Sequence, residues 1–469
     1  MTDPKPVDTS KPLAAYVAEF ATGTHYADIP ADTARVAKKH ILDTLAVGLA
    51  GVPAEGSEIV RRYVEQLGCS GGMATIFGTA QLALPRFAAL ANAAAMHADD
   101  YDDTYHPTRF HPSAPVLAAV CAEAEAVGSS GQDVLAAFAV GTEVSLKISE
   151  TIGKEHYLRG FHMTSTCGVF GATAGVCNLR GLPFDATLRA IGIAGSESAG
   201  VRENFGTMVK PLHSGRAAEN AVVAASLAAM GFTSAPTILE GPRGYFMTGA
   251  GTYDADQLIG KLGNPWNYVA RRVAIKPYPC GNLQQPAMDK LRDLVIEHDI
   301  RPDQVERLAV KSHRLMPLNL TYHRPTTGLE GKFSMEFSLA SILVLRRAGL
   351  TEYSDEVVNR LDVQEAIRKI DYTVFSDEDA QEKGYHLWTT FLDITLKNGR
   401  TISARVDAAK GSATMPLTEK EVAEKFRDCA AFAQMPKDRT EKTIELVLEL
   451  EGVKDIRELT RLLRAGAAG

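Results

Sequence analysis

DTARVAKKHILDTLAVGL, residues 32–49, sets the reading of the fold. Its apolar residues Ala34, Val36, Ala37, Ile41, Leu42, Leu45 and Ala46 recur at spacings of three and four, so they share one face of an α-helix. Pro30 and Asp32 mark its start. The same texture runs from Pro12 to about Gly263 and predicts further helices at Pro85–His97, Ala114–Val127, Gly131–Glu150, Val169–Leu179 and Gly215–Met230. Gly181, Gly231 and Gly263 read as helix stops.

Near Arg271 the pattern changes. Arg272–Tyr278, Val305–His313 and Trp388–Leu396 carry β-branched or alternating residues, and Asn398-Gly399 is a hairpin signal ahead of Thr401–Val406. Helices are expected between them at Gln285–Glu297, Met335–Arg347 and Ser354–Ile370. After Pro416 the chain returns to helix, at Glu419–Gln434, Arg439–Leu450 and Asp455–Leu463. A chain of 469 residues exceeds what one core usually organises. The expected architecture is mainly α: a large all-helical domain (12–268) with a smaller inserted α+β domain (269–408), and C-terminal helices (409–465) rejoining the first.

The formal net charge of −7 offers no basic stripe for a phosphate backbone, which argues against nucleic-acid binding. Met1–Pro12 is polar with no apolar run behind it, so no secretory signal is expected, and the apolar stretches are too short to span a bilayer. A cytoplasmic location follows as the expectation. The six cysteines are scattered without a CxxC pair, so reduced, buried thiols are expected rather than a disulfide or zinc framework.

The densest polar stretch is HADDYDDTYHPTRFHPS, residues 97–113, between two Ala-rich helices. Burying its carboxylates and imidazoles is costly unless they bond one another or hold a ligand. Three readings stand: a solvated acidic loop, a divalent-metal site, or an acid/base and substrate site. Metal-ligand residue types are present, but no HExxH or EF-hand spacing organises them.

The string HADDYDDTYHPTRFHPSAPV resembles the motif HxxDxDDTxHxxxxHPSxxV of the MmgE/PrpD family. Further matches follow in order: GFHMTSTCGVFGATAG (160–175), TMVKPLHSGRAAENA (207–221), VAIKPYPCGN (273–282) and KFSMEFSLA (332–340). The family includes 2-methylcitrate dehydratases, cis-aconitate decarboxylases and iminodisuccinate epimerases. The resemblance implies a helical domain, a smaller α+β domain, a site between them, a homodimer and no cofactor. Carried over by matched position, it points to Asp100, Thr104, His111, His162, Lys210 and His213.

The chemistry of these residues agrees with that implication. A proton α to a carboxylate is weakly acidic, so an enzyme must both move it and stabilise the charge left behind. His111 and His162 titrate in the right range and are read as base and acid, and Asp100 either orients a histidine or acts as base. Lys210 is expected in a loop ahead of a helix starting near Gly215, because Pro211 disfavours helix before it, and its cation suits a carboxylate or developing negative charge. Arg109 is read as a bidentate grip on a second carboxylate and Thr104 as a hydroxyl ligand or helix cap, with His213 and Lys276 completing the substrate-binding set. The glycines Gly168, Gly171 and Gly175 form no GxGxxG and are read as a helix-packing stripe.

Two positions depart from the family pattern: Gln285 stands where many members have histidine, and Phe337 where several have tyrosine. Neither side chain exchanges a proton at neutral pH. The leading expectation is a lyase of the 2-methylcitrate dehydratase type acting on a small hydroxy di- or tricarboxylate. An epimerase of an amino or imino dicarboxylate and a cis-aconitate decarboxylase-like carboxy-lyase are the alternatives. A non-catalytic polycarboxylate-binding protein and a metal-dependent hydrolase are the readings from other classes.

Overall fold

The helix read from residues 32–49 runs from Ala31 to Ala50 in the structure, a computed structural model that describes residues 11–68 and 70–465. The stretch read as lacking a secretory signal lies, but for Lys11 and Pro12, outside the described residues, as does Cys69. The first half of this helix is amphipathic, with Arg35 exposed and Ala34 and Ala37 buried, but from His40 to Ala50 every residue is buried. An apolar stripe that widens to the whole circumference makes this a central core element. Among the described residues no helix is long and apolar enough to cross a membrane.

The fold is mainly α, with a smaller α+β part inserted. One compact unit comprises the chain up to Ala98, Asp102–Ala274 and the residues from Thr418 onward; the other comprises Asp99–Tyr101 and Ile275–Leu417. The boundaries thus fall after Ala274 and Leu417 rather than after 268 and 408.

In the first unit, helix Gly168–Leu179 packs against Gly131–Ile152 so closely that a Cβ on Gly171 would stand 2.3 Å from the Gly141 carbonyl oxygen. On Gly175 it would stand 2.8 Å from that of Ala137. The glycine stripe is therefore a packing device. Ser130 caps Gly131–Ile152, accepting from the Asp133 N–H while the Asp133 carboxylate accepts from the Ser130 N–H. At the C-terminal end, helix Glu419–Phe432 packs on Ala31–Ala50 and buries the ion pair Lys425–Asp43 at 2.6 Å. Burial raises the Asp43 carboxyl to about 6 against the pull of Lys425.

Four expectations are corrected. The first unit is not all-helical, because β1 (Ser70–Thr75) and β2 (Leu82–Ala83) form an antiparallel hairpin. No strand spans Arg272–Tyr278; a π-helical turn at Tyr268–Arg272 leads into one isolated bridge, Ala274 with Thr104. The helix expected from Gly215 begins at Val209, so Lys210 is helical. Pro211 is tolerated there because first-turn N–H groups have no intrahelical acceptor to lose. The helix expected over Ser354–Ile370 is two short ones, Asp355–Val358 and Leu361–Ile367, followed by a strand.

The second unit is built on a four-stranded sheet of β3 (Val305–Ser312), β4 (Ile370–Val374), β5 (Thr390–Leu396) and β6 (Thr401–Val406), in the order β4-β3-β5-β6. β4 runs parallel to β3, and the other pairs are antiparallel. Thr390, Leu392, Ile394 and Leu396 alternate inward on β5, meeting helices Gln285–Glu297 and Met335–Leu345 around Met288, Leu291 and Phe337.

Candidate active site

Helix Pro85–Met96 ends at His97, its C-cap, and the chain then runs irregularly to the helix that begins at Ser113. The loop is closed on itself by paired backbone hydrogen bonds between Tyr105 and Phe110, and Arg109 sits at φ 57° to complete that tight turn. Asp103 anchors it: its carboxylate is 2.7 Å from His40 Nδ1 and accepts from the Tyr268 hydroxyl at 3.2 Å and the Ser113 N–H at 3.3 Å.

Asp102, fully buried, is the pivot of the site. Its carboxylate lies 2.9 Å from His97 Nδ1 and 3.3 Å from His111 Nδ1. Two imidazoles therefore share one anion, and proximity to them holds the Asp102 carboxyl well below the usual carboxylate range despite burial. With Nδ1–H bound to Asp102, Nε2 is left as the lone-pair nitrogen of the neutral His111 ring. Lys210 and His213 lie three residues apart in the first turn of Val209–Ala229, on one face. The Lys210 ammonium donates to His97 Nε2 at 3.1 Å. Asp102, His97 and Lys210 thus form a hydrogen-bonded line that aims a cation.

His162, the N-cap of the short helix Met163–Thr166, has its Nδ1 3.0 Å from His213 Nδ1, so the two rings share a single proton at that contact. Its ring also stacks on His97, centroids 5.5 Å apart. Burial, then the neighbouring His97 and Lys210, push His162 well below its ordinary range. Burial likewise lowers His97 to about 4, with Asp102 opposing, and lowers His213. His97, His162 and His213 are thus held toward their neutral forms beside one ammonium, with Asp102 as the carboxylate bonded to His97 and His111.

His97, Asp102 and His111 offer ligand atoms within 4.8 Å of one another, the arrangement that the metal reading needs. Their bonding fits it poorly, because the His97 lone pair on Nε2 already faces an ammonium. A cation there would meet Lys210 head-on.

The structure brings His111, His162, Lys210 and His213 together around His97 and Asp102, neither of which is in the set carried over by matched position. Thr104 Oγ1 is 3.5 Å from His111 Nδ1 and its N–H donates to Ala274, so it caps no helix. Asp102 is the carboxylate bonded to His97 and His111. Asp100 is held at φ 50° in the second unit, where Lys276 Nζ donates to its carbonyl at 2.6 Å and pairs with its carboxylate at 3.0 Å. Lys276 is thereby an anchor for Asp100. Gln285 donates to the carbonyls of Tyr278 and Cys280, tying its own loop, and Phe337 is a fully buried core ring edge-on to Tyr353. Cys167 and Cys280 are buried thiols raised to about 12, far from nucleophilic.

Family models for the MmgE/PrpD N-terminal domain and the MmgE/PrpD C-terminal domain match residues 15–257 and 278–450. The chain belongs to the MmgE/PrpD family. It is 29% identical over 466 residues to the cis-aconitate decarboxylase of Homo sapiens, covering 96% of this chain and 95% of that protein. It is 28% identical over 484 residues to the cis-aconitate decarboxylase of Aspergillus terreus, covering 96% of each. A cis-aconitate decarboxylase-like protein of Aspergillus oryzae is 25% identical over 478 residues, covering 96% of this chain and 97% of that protein. These MmgE/PrpD relatives are named as decarboxylases, that is, as lyases, and none as a dehydratase.

Proposed function

We propose that this MmgE/PrpD chain is a cofactor-free carboxy-lyase acting on a small unsaturated tricarboxylate of the cis-aconitate type. The observation that carries the proposal is the arrangement on Asp102: a proton-exchanging imidazole, His111, and an aimed ammonium, Lys210, both positioned by one buried carboxylate.

In such a reaction the bond from an allylic carbon to its carboxylate breaks and carbon dioxide leaves. The released electron pair forms a new double bond, and the old π pair takes a proton at the carbon α to a remaining carboxylate. Nothing is oxidised or reduced. His111 as imidazolium, stabilised by Asp102, delivers that proton from Nε2, and Lys210 offsets charge developing on the conjugated carboxylate. The His162–His213 pair is neutral until an anion enters, and then donates hydrogen bonds to it. Thr104 and Arg109 hold the other carboxylates.

Decarboxylation suits this site better than the dehydration expected first. Departing carbon dioxide needs no proton, so one acid suffices, whereas loss of water needs a base for the α-proton and an acid for hydroxide. Gln285 and Phe337 supply neither.

The test is proton NMR of cis-aconitate and of 2-methylcitrate with the enzyme in deuterated buffer. Loss of the alkene proton, one deuterium in the new methylene group and one equivalent of carbon dioxide are expected from cis-aconitate. Dehydration of 2-methylcitrate without decarboxylation of cis-aconitate would sink the reading and restore the hydro-lyase.

A further inference from the structure

Two arginines stand on one aromatic ring beside this site. The Cζ of Arg202 lies 3.7 Å, and that of Arg109 5.1 Å, from the centroid of Tyr157, a buried side chain. A ring attracts each cation weakly and neutralises neither. Neither guanidinium has a carboxylate partner among the described residues, and burial, with Arg109 nearby, disfavours the charge on Arg202. Arg202 Nη1 donates to the Tyr157 carbonyl at 3.0 Å, which fixes the plane of the group. Its Nε is buried with no acceptor. The Nε–Nη2 edge, the fork that grips a carboxylate in bidentate fashion, is thus set and unused by the protein.

The position of this fork is tied to the site by backbone. Phe161 and Val201 form an isolated antiparallel bridge, flanked by His162 N–H to Gly200 carbonyl at 3.0 Å and Arg202 N–H to Gly160 carbonyl at 2.7 Å. His162 and Arg202 therefore sit on the two arms of one pairing. One more ring links them: Phe205 is edge-on to His162 with centroids 4.9 Å apart, 5.4 Å from Lys210 Nζ and 5.6 Å from Arg202 Cζ.

We propose that Arg202, supported by Arg109 across Tyr157, binds the second carboxylate of the substrate and selects polycarboxylates that reach from Lys210 to this fork. This rests on the reading of the site as a polycarboxylate site and adds a specificity-determining residue to it. A substrate carboxylate at Arg202 neutralises two mutually repelling cations, and that relief is realised only by an acid long enough to engage Lys210 as well.

The experiment is calorimetric titration of the full-length protein with tricarballylate, an unreactive saturated tricarboxylate, and with acetate, comparing wild type, Arg202→Gln, Arg202→Lys and Arg109→Gln. Wild type is expected to prefer tricarballylate strongly. Arg202→Gln should weaken tricarballylate by 30-fold or more, on the order of a lost bidentate charged contact, with acetate changed less than about threefold. Arg202→Lys, which keeps charge and loses the fork, should weaken it about fivefold or more, and decides the matter if the glutamine variant melts early. Tricarballylate binding to wild type with unchanged affinity in folded Arg202 variants overturns this proposal alone. No binding of tricarballylate to wild type overturns the polycarboxylate reading and this proposal with it.

Discussion

Replacing Asp102 by asparagine separates the charge of the pivot from its shape. The carboxylate sits 2.9 Å from His97 Nδ1 and 3.3 Å from His111 Nδ1, and it is fully buried. An asparagine offers one acceptor and one NH2, so one of the two rings then faces a donor with a donor. If His97 gives way, its proton moves to Nε2, where the Lys210 ammonium already donates at 3.1 Å. If His111 gives way, its Nε2 takes the proton permanently and Nδ1 loses the anion that stabilises its imidazolium. Either outcome removes at least one charge-assisted hydrogen bond of ~1.5–3 kcal/mol, and the loss of the Asp102 charge lowers the His97 pKa further. Together these raise the barrier by ~3–5 kcal/mol, a fall in kcat of about two to four orders of magnitude at pH 7. Turnover of cis-aconitate by NMR measures the rate, and long-range proton–nitrogen correlation reads the tautomers of His97 and His111. A kcat within about threefold of wild type, with both Nδ1–H tautomers retained, would refute the assignment of Asp102 as pivot.

Lys210→Met should raise KM at least about tenfold and let the His97 pKa climb, since the ammonium is one of the charges holding it down, and NMR titration of His97 checks the sign. Burial lowers His97 from 6.5 to about 4, so its contribution to stability is fully present above pH ~6.5 and is lost as pH falls toward 4. That contribution is on the order of 3 kcal/mol, and the depressed Asp102 and His162 act in the same direction. Urea midpoints that do not fall between pH 7 and pH 4.5 would contradict this. Phe337→Tyr should destabilise by ~1–3 kcal/mol, because a hydroxyl would be buried in an apolar cluster, and a thermal melt is enough to see it. Gly171→Ala should cost about 2–4 kcal/mol by forcing its helix off Gly131–Ile152, where the added carbon would meet the Gly141 carbonyl oxygen at 2.3 Å; an unchanged melting temperature would mean that the contact is soft.

Helices were legible where one physical signal dominated. Ala31–Ala50 announces itself by spacing, and the glycine stripe of Gly168–Leu179 by its absence of any nucleotide fingerprint. Reading failed where two signals competed. Pro211 signals a helix break, yet in the first turn its missing N–H is no loss, so the helix swallows Lys210 and places it with His213. Ile370–Val374 is only five residues long and trails a helical pattern, so nothing local distinguishes a strand whose pairing with β3 lies about sixty residues away.

The same distinction governs the site. The string 97–113 displayed the right chemical types, because carboxylates and imidazoles that dense demand partners. It did not display the pairing, because an irregular loop has no period from which direction can be read. Asp100 and Asp102 are both two-residue neighbours in a run of acids, but Asp100 turns to Lys276 through a left-handed backbone while Asp102 turns to the two histidines. His97 ends an Ala-rich helix, and nothing in the neighbouring sequence marks its partner. Its role emerges only when Lys210, more than a hundred residues later, arrives at its Nε2. The cluster is therefore local in composition and non-local in assembly: one loop supplies Asp102, His97 and His111, and a helix start read as a break supplies the ammonium that meets them.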